Sequence, residues 1–217
     1  MADWKTESAL EKLNLTDGQG YYEYNGERYS KSEYYWRKVE PIKWRYLSEV
    51  SAGVGEFISE YAFHGVPYKS TDENYEDGTY ASNYEKSNPR RWLNDDFFNQ
   101  AFFYDKSLVQ TATVDNSASL TKGYDSGYDV GVCENTEDKI YLPSYRDVTN
   151  PNYGFYSQDE ADDNRIAYDP YGNQWIWWTR SPVNHNCVSM VDENGRIGIY
   201  SVNSGGSVRP CAQLIIA

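Results

Sequence analysis

The feature that most constrains this fold is a series of short apolar segments in the last third of the chain, separated by turn residues. Residues 175–178 form an apolar run, and the segments 187–191 and 196–202 are joined by Asp192-Glu-Asn-Gly195. Runs of this length bounded by turn residues predict strands, and Gly195 suits the positive-φ position of a hairpin bulge. Two further strand patterns, at Val208 and at 214–216, close the chain. The sequence therefore predicts a C-terminal antiparallel sheet.

Upstream of residue 175, similar signals predict helices, more strands and long loops. The pair Asn25-Gly26, between Tyr21–Tyr24 and Glu27–Ser30, predicts a hairpin because such pairs adopt the positive φ values of a tight turn. Helices are predicted over 3–14 and from Ser87 to Phe102, with a helical turn beginning at Ser144. Strands are predicted at 41–47, 56–61 and 108–114, a short apolar element at 140–142, and loops at 65–83, 115–135 and 149–174. The expected fold class is α+β, with mixed or antiparallel sheets, about two helices and long structured loops.

The length of 217 residues fits one domain with a small N-terminal appendage. Residues 1–40 are expected to form a helix and a hairpin that pack on or extend a main domain at 41–217. The hydrophobic content is only 39%, but 22 Tyr and 7 Trp supply large apolar bodies for a core or a recognition surface. A folded chain is therefore expected.

The acidic balance of the chain restricts its partners. Thirty-three Asp and Glu against 20 Lys and Arg give a formal charge of −13, which disfavours nucleic acid and anionic membranes. No apolar run approaches the ~18 residues of a membrane span, so membrane insertion is not expected. The first fifteen residues lack the basic and apolar regions of a signal peptide, which leaves the compartment open.

Few residues suggest catalysis or metal binding. His64 and His185 share no motif with cysteine or carboxylate, and no zinc-ligand spacing, phosphate loop or nucleophile elbow occurs. The acidic segment 159–164 lacks the Gly and terminal Glu of a helix–loop–helix calcium site, so a solvated loop is preferred. No cofactor and no metal are predicted. Cys187 and Cys211 lie in neighbouring predicted strands and either pair or remain free thiols.

The most specific pattern in the chain has two parts, Trp177-Trp-Thr-Arg-Ser-Pro182 and Ser207-Val-Arg-Pro-Cys-Ala212. It resembles a bacterial and phage family of unknown function whose domains end in Trp-Trp-Leu-Arg-Ser-Pro and then Gly-Val-Arg-Pro-Ala. Further matches extend the resemblance over roughly residues 40–217; they are Ile42–Arg45, Ser87–Phe102, Asp138–Ser144, Asn152–Phe155 and Asp163–Arg165. Thr179, Ser207 and Cys211 depart from the family pattern.

The resemblance implies a branch of the C-type-lectin-like fold, akin to formylglycine-generating-enzyme-like domains. Some similar proteins look like the diversified targets of mutagenic retroelements, in which the segment between the two motif parts contacts the ligand. The implied location is a cell surface or a phage particle. The active-site cysteine pair of formylglycine-generating enzymes has no counterpart here, so that activity is not implied.

The segment between the two motif parts supplies the candidate ligand-binding residues. Their Asn, Ser, Tyr, His and Asp side chains suit adaptable hydrogen bonding, although Asn and Ser also build turns. The candidates are Asn184, His185, Asn186, Ser189, Asp192, Tyr200, Asn203 and Ser204. The motif residues Trp177, Trp178, Arg180 and Arg209 are expected to be structural. The two indoles are expected on opposite faces of a strand, one in the core and the other nearer the surface, and the arginines are expected to pair with carboxylates or carbonyls.

Three functions are compatible with these observations. The first is a non-catalytic binding module that presents the 183–207 surface, together with the 149–174 loop, to a protein or glycan. The second is an enzyme that uses His185 with a carboxylate such as Asp163 or Asp192, which requires a concave pocket. The third is a structural or assembly domain whose aromatic surface forms a subunit contact. The sequence does not predict the oligomeric state.

Overall fold

The structure of the protein is a computed structural model, and it describes residues 21–25, 27–31, 36–39, 41–63 and 65–216. The helix predicted at 3–14 and His64 lie outside these residues. The chain forms two compact units, Met1–Ile42 and Lys43–Ala217. The first unit contains the strands β1 (Tyr21–Tyr24), β2 (Glu27–Lys31) and β3 (Trp36–Val39), which pair in that order as an antiparallel sheet. The predicted Asn25-Gly26 hairpin is confirmed, with Asn25 at φ 53°.

The second unit is mixed α+β, as predicted, and its strands form mostly antiparallel sheets. The strands are β4 (Trp44–Ser51), β5 (Val54–Ser59), β6 (Ala112–Val114), β7 (Thr136–Asp138), β8 (Ile140–Tyr141), β9 (Trp177–Asn184), β10 (Cys187–Val191), β11 (Ile197–Ser201), β12 (Ser207–Val208) and β13 (Cys211–Ile215). The helices are α1 (Asn88–Trp92), α2 (Phe98–Ala101), α3 (Lys122–Ser126) and α4 (Tyr145–Val148), with a π-helical turn, Leu93–Phe97, joining α1 to α2. Short 3₁₀ turns lie at Lys106–Leu108, Ala118–Leu120, Pro151–Tyr153 and Asp163–Arg165.

Two four-stranded sheets make up most of this unit. One has the order β4-β5-β13-β8 and the other β11-β10-β9-β12. Every pairing in them is antiparallel except that of β9 with β12. The short ribbon β6-β7 is separate. Because β13 follows β12 after only Arg209 and Pro210, the two large sheets meet at the closing motif.

The helix starts follow the residues that predicted them. The Ser87 side chain accepts a hydrogen bond from the Arg90 amide at the start of α1, with Pro89 in the first turn. Ser144 and Asp147 form a reciprocal capping box at the start of α4. These caps satisfy amide groups that a helix start otherwise leaves without partners.

Strand β9 differs from the sequence prediction in its length. The apolar pattern predicted a strand at 175–178, whereas β9 runs from Trp177 to Asn184 through Pro182. Proline lacks an amide hydrogen and is tolerated in a sheet where the ladder is irregular. The register between β9 and β10 shifts on both sides of the Val188–Pro182 pair. The irregularity therefore admits a proline that the sequence pattern treated as a break.

Both faces of β9 are buried. Trp177 packs in a core cluster with Val191 and Ile197 from the neighbouring strands and with Val148 of α4. Trp178 points to the opposite face, where its ring meets Tyr68 edge-on at 5.5 Å. The two indoles do lie on opposite faces, but both are 0% exposed, so the expectation that one lies nearer the surface is wrong. The reason is that the loop containing Tyr68 covers the second face.

Candidate functional site

The two parts of the sequence motif are direct neighbours in the structure. Strand β12 pairs in parallel with β9, so that Ser207 lies opposite Trp177 and Val208 opposite Trp178. Thr179, which departs from the family pattern, donates its hydroxyl to the Ser189 carbonyl oxygen at 2.8 Å. The segment 183–206 therefore connects two motif parts that are buried and paired with each other.

The two motif arginines bind backbone carbonyls and carboxylates. Arg180 donates to the Leu142 carbonyl at 2.7 Å and to Asp147 at 2.9 Å. Arg209 is fully buried, donates to the Ser59 carbonyl at 2.8 Å and has its guanidinium 5.3 Å from the Trp177 ring centroid. Burial lowers the pKa of Arg209 to about 10, and the neighbouring Arg45 adds to this effect. Both side chains tie together parts of the chain that are distant in sequence, which is a structural role.

A third buried arginine, Arg165, organises the long loop that precedes β9. Its side chain is 0% exposed and donates to backbone carbonyls of that loop, of the end of α4 and of the turn between β10 and β11. The acceptors are Val148, Tyr156, Gln158, Glu160 and Gly195. A guanidinium suits this place because it presents five donors in a rigid plane. Apart from the place of Arg165 in the family pattern, no sequence signal predicts this role.

The predicted site residues divide between the two ends of the β9–β10–β11 sheet. Asn184 is the last residue of β9, and His185 and Asn186 form the turn into β10. The Val202 amide donates to the Asn186 carbonyl at 3.0 Å, which brings Asn203 and Ser204 to the same end. Asp192 lies at the opposite end, on the turn that leads into β11. Five of the eight candidates therefore share one end of the sheet, which we call the His185 end.

At the His185 end, two residues that the sequence analysis missed hold the imidazole. The His185 ring stacks on the Tyr80 ring, with centroids 3.7 Å apart and planes 16° from parallel. Its Nε2 lies 3.0 Å from Asp129 Oδ2, and the Tyr80 hydroxyl donates to the same oxygen at 3.2 Å. The bonds from His185 and Tyr80 lower the pKa of Asp129, and the bond to Asp129 raises the pKa of Tyr80. The imidazole is thus exposed yet held in one orientation.

The backbone beneath His185 is also tied to a neighbouring loop. Ser82 donates its amide to the His185 carbonyl at 3.0 Å and its hydroxyl to the Asn184 carbonyl at 2.7 Å. The Asn184 side chain accepts the Asn186 amide at 3.1 Å, so it builds the turn itself. Tyr80, Ser82 and Asp129 come from the segments predicted as polar loops. Only their spatial approach, which no sequence spacing encodes, reveals their role.

The three remaining candidates lie outside the turn between β9 and β10. The Ser189 side chain is fully buried, because β10 is an inner strand with both faces covered, so it does not reach a surface ligand. The Asp192 side chain accepts the amides of Asn194 at 2.9 Å and Arg196 at 2.8 Å, which makes it a turn builder. Tyr200 is half-buried on β11, and its ring lies against Gly198 of the same strand.

The carboxylates proposed as partners of His185 do not meet it. Asp192 lies at the other end of the sheet. Asp163 lies in the loop that Arg165 binds, where the backbone of the adjacent Asp162 packs against Gly195. An open depression of about 590 Å³ is lined by residues of the 69–86 loop, including Lys69, Tyr75 and Lys86, but not by His185. Asp129 is the carboxylate that pairs with the imidazole.

The acidic segment 159–164 uses its carboxylates within the protein. Asp159 pairs with Lys122 and accepts the Tyr145 hydroxyl at 3.0 Å, while Asp162 accepts the amides of Tyr156 and Asn164. Among the described residues, no three His, Cys, Asp or Glu side chains are grouped so as to hold a metal ion. Cys187 on β10 and Cys211 on β13 are free thiols in different sheets.

The loop before β9 carries exposed aromatic side chains. Asp169-Pro-Tyr-Gly172 forms a turn in which the Gly172 amide donates to the Asp169 carbonyl at 3.0 Å and Gly172 has φ 89°. Tyr171 at its tip is 68% exposed. The Asp169 carboxylate accepts the indole nitrogen of Trp175 at 3.0 Å, which orients that half-exposed ring. This part of the 149–174 loop is therefore ordered by its own hydrogen bonds.

These observations define an α+β domain in which a buried frame of Trp and Arg side chains supports polar and aromatic loops. The chain belongs to a family described as a domain of unknown function (DUF6273), whose model matches residues 55–216. No curated protein and no solved structure matches the chain. Within the described part of the chain, no helix has the length and apolar character needed to cross a membrane.

Proposed function

We propose that the protein is a non-catalytic recognition domain that binds a protein or glycan ligand through the His185 end of its C-terminal sheet. The observation that carries this proposal is the exposed His185 ring, held between the Tyr80 ring and the Asp129 carboxylate. An exposed ring that is oriented before binding loses little conformational freedom when a ligand arrives. Asn186, Asn203 and Ser204 surround it with side chains suited to hydrogen bonding.

The proposal includes a C-type-lectin-like fold and a diversified ligand surface. Its support is the arrangement in which the motif parts pair as β9 and β12 while the segment between them reaches the surface. Some similar proteins look like diversified retroelement targets, and there this segment is the variable one. Genome sequence around the coding region tests the idea. A reverse transcriptase gene with a near-copy of the region encoding 177–212 supports diversification, and the absence of both contradicts it.

A binding comparison between the two ends of the same hairpin tests the site. The wild-type protein is screened on an array of neutral glycans and against a displayed library of small protein domains. The double variant His185→Ala/Asn186→Ala is expected to lose the hits. The control Glu193→Ala/Asn194→Ala removes two exposed side chains at the opposite end and is expected to keep them. Equal loss in both variants, or in neither, contradicts the proposed location.

The enzyme hypothesis is the second candidate, because the His185–Asp129 pair has the geometry of a base and its orienting carboxylate. Cys187, a nucleophilic residue type two positions further along, is not activated. Burial raises the pKa of its thiol above the ordinary value, so the thiolate is scarce at neutral pH. We expect iodoacetamide to label Cys187 slowly at pH 7 and faster as the pH rises past the ordinary thiol pKa, as measured by peptide mass spectrometry. Rapid labelling at pH 7 that His185→Ala abolishes would instead support catalysis.

A further inference from the structure

Strand β11 lies at the edge of its sheet. From one residue to the next, its backbone amide and carbonyl groups point alternately toward β10 and away from the sheet. The Asp192 amide donates to the Arg196 carbonyl at 2.8 Å, and the Val202 amide donates to the Asn186 carbonyl at 3.0 Å. Those bonds set the alternation of the antiparallel ladder, in which the even-numbered residues of β11 bond to β10. The amide and carbonyl groups of Ile197, Ile199 and Ser201 therefore point away from the sheet.

Part of this outer edge is already occupied. The Ile197 amide donates to the Asp159 carbonyl at 2.9 Å, and the Ser201 carbonyl accepts the Ser204 amide at 3.0 Å. Ile197 is only 5% exposed beneath the loop containing Asp159, so the outward groups open to solvent are both groups of Ile199 and the Ser201 amide. Within the part of the chain that the structure describes, none of these three has a hydrogen-bond partner. Together they form the template that one short extended peptide completes.

Between its two occupied ends, the β11 edge lacks three features by which proteins often protect an edge strand, namely proline, lysine and a bulge. Ile197–Ser201 contains no proline and no lysine, and its five-residue register with β10 has no bulge. The Ile199 side chain is 46% exposed. By contrast, the register of the edge strand β4 with β5 is irregular at two places. The opposite edge strand of the same sheet, β12, has two residues and is bridged to Phe63.

The acidic residues beside the β11 edge favour a basic partner. Asp192 and Glu193 lie close enough to Tyr200 to support the rise in its pKa, which burial chiefly causes. At the Ile197 end, Asp159 is already paired with Lys122, whereas the adjacent Glu160 is exposed, and Arg196 precedes Ile197 in the turn. The chain as a whole carries −13. Two copies would repel each other across this edge, whereas a peptide with Lys or Arg side chains would be attracted.

We infer that β11 binds an extended, basic segment of another polypeptide by strand addition. The peptide backbone pairs with both groups of Ile199 and the Ser201 amide, and its basic side chains face the exposed carboxylates of Glu160 and Glu193. This surface runs along the side of the sheet rather than at the His185 end. The inference therefore stands or fails independently of the proposed ligand site.

Fluorescence polarisation with two synthetic peptides tests the inference. The probe is a labelled peptide of alternating Lys and Val, and the control peptide has Glu in place of each Lys. We expect the wild-type protein to bind the basic probe, with affinity that falls as salt is added, and not to bind the acidic one. If the wild type fails to bind the basic probe, or binds both peptides equally, the inference is overturned.

Variants of the edge separate backbone pairing from side-chain contact. Ile199→Pro and Ser201→Pro each remove one outward amide hydrogen, which an edge strand tolerates because that amide makes no bond within the sheet. Each is expected to weaken binding about fivefold or more, while Ile199→Thr, which keeps the amide, binds much as the wild type does. Two proline variants are made so that the test can still be read if one of them fails to fold, as judged by circular dichroism.

Three outcomes would overturn the inference at this stage. The first is unchanged binding in folded proline variants, and the second is a loss in Ile199→Thr equal to that in Ile199→Pro. The third is a wild-type dimer, seen by analytical ultracentrifugation, that Ile199→Pro dissociates, because the occupant of the edge would then be a second copy of the chain. The variant His185→Ala is expected to bind the basic probe normally, since His185 lies at another surface.

Discussion

At the scale of single residues, Arg165 has the largest structural role in the loops. It is buried and donates to carbonyls between Val148 and Gly195, with Asp162 3.7 Å away. Replacing it with Met leaves those carbonyls without a donor, so we expect the free energy of unfolding to fall by about 3 kcal/mol. Urea denaturation measures the change. The control Arg146→Met, which breaks an exposed pair with Asp125, is expected to cost less than about 1 kcal/mol. Similar losses in both variants would contradict this role.

Asp169 provides a pH-dependent prediction at the same scale. Partial burial acts to raise its pKa, but the Asn173 side chain and amide, with Trp175 and Tyr171, donate hydrogen bonds that lower it to about 2. The folded pKa lies below the ordinary value of 3.8, so the carboxylate contributes its full stabilisation of the turn above pH 3.8. This contribution is lost as the pH falls from there towards 2. Carbon-13 detection of the Asp169 carboxyl should show this titration, and acid-induced change in Trp fluorescence should diminish in Asp169→Asn. Titration at the ordinary value would contradict the turn geometry.

At the scale of elements, the turn between β10 and β11 depends on one glycine. Gly195 has φ 73°, and a Cβ placed on it would lie 2.0 Å from the Asp162 carbonyl oxygen. Gly195→Ala should therefore cost about 2 kcal/mol or more, because strain and a backbone clash add. Gly172 has a similar φ of 89° with nothing within 4 Å, so Gly172→Ala should cost only about 1 kcal/mol. The difference in thermal stability between the two variants measures the cost of the clash, because only Gly195→Ala introduces one. Equal losses would show that the Asp162 loop does not pack on this turn.

Local signals explain why several elements were predictable. The caps at Ser87 and Ser144, the Asn25-Gly26 hairpin and the positive φ of Gly195 depend on neighbouring residues, so the sequence encodes them directly. Strand β9 was predicted too short because Pro182 is accommodated by a bulge with β10, which is a property of the pairing. Exposure of Trp178 was predicted wrongly for a related reason, since the residues that cover it are distant in sequence.

At the scale of the whole molecule, the candidate site was only partly predictable. The sequence identified the segment around His185 because two motif parts flank it. It did not identify Tyr80 and Asp129, which come from two separate polar loops and meet the imidazole only in the folded chain. It also grouped Asp192 with His185, although the length of β10 separates them. Hydrophobic periodicity assigns residues to strands, but it does not indicate which loops approach the end of a strand.

The division of the chain leads to a prediction about folding. Within the described residues, all strand partners of β4–β13 lie in the unit Lys43–Ala217, and those of β1–β3 lie in Met1–Ile42. A unit that contains all of its own sheet pairings and a buried core can fold without the other. We expect residues 43–217, expressed alone, to unfold cooperatively and to retain the near-ultraviolet circular dichroism of Trp177 and Trp178. The full chain is the control. Loss of that signal, or a broad non-cooperative transition, would show that the larger unit needs the first 42 residues.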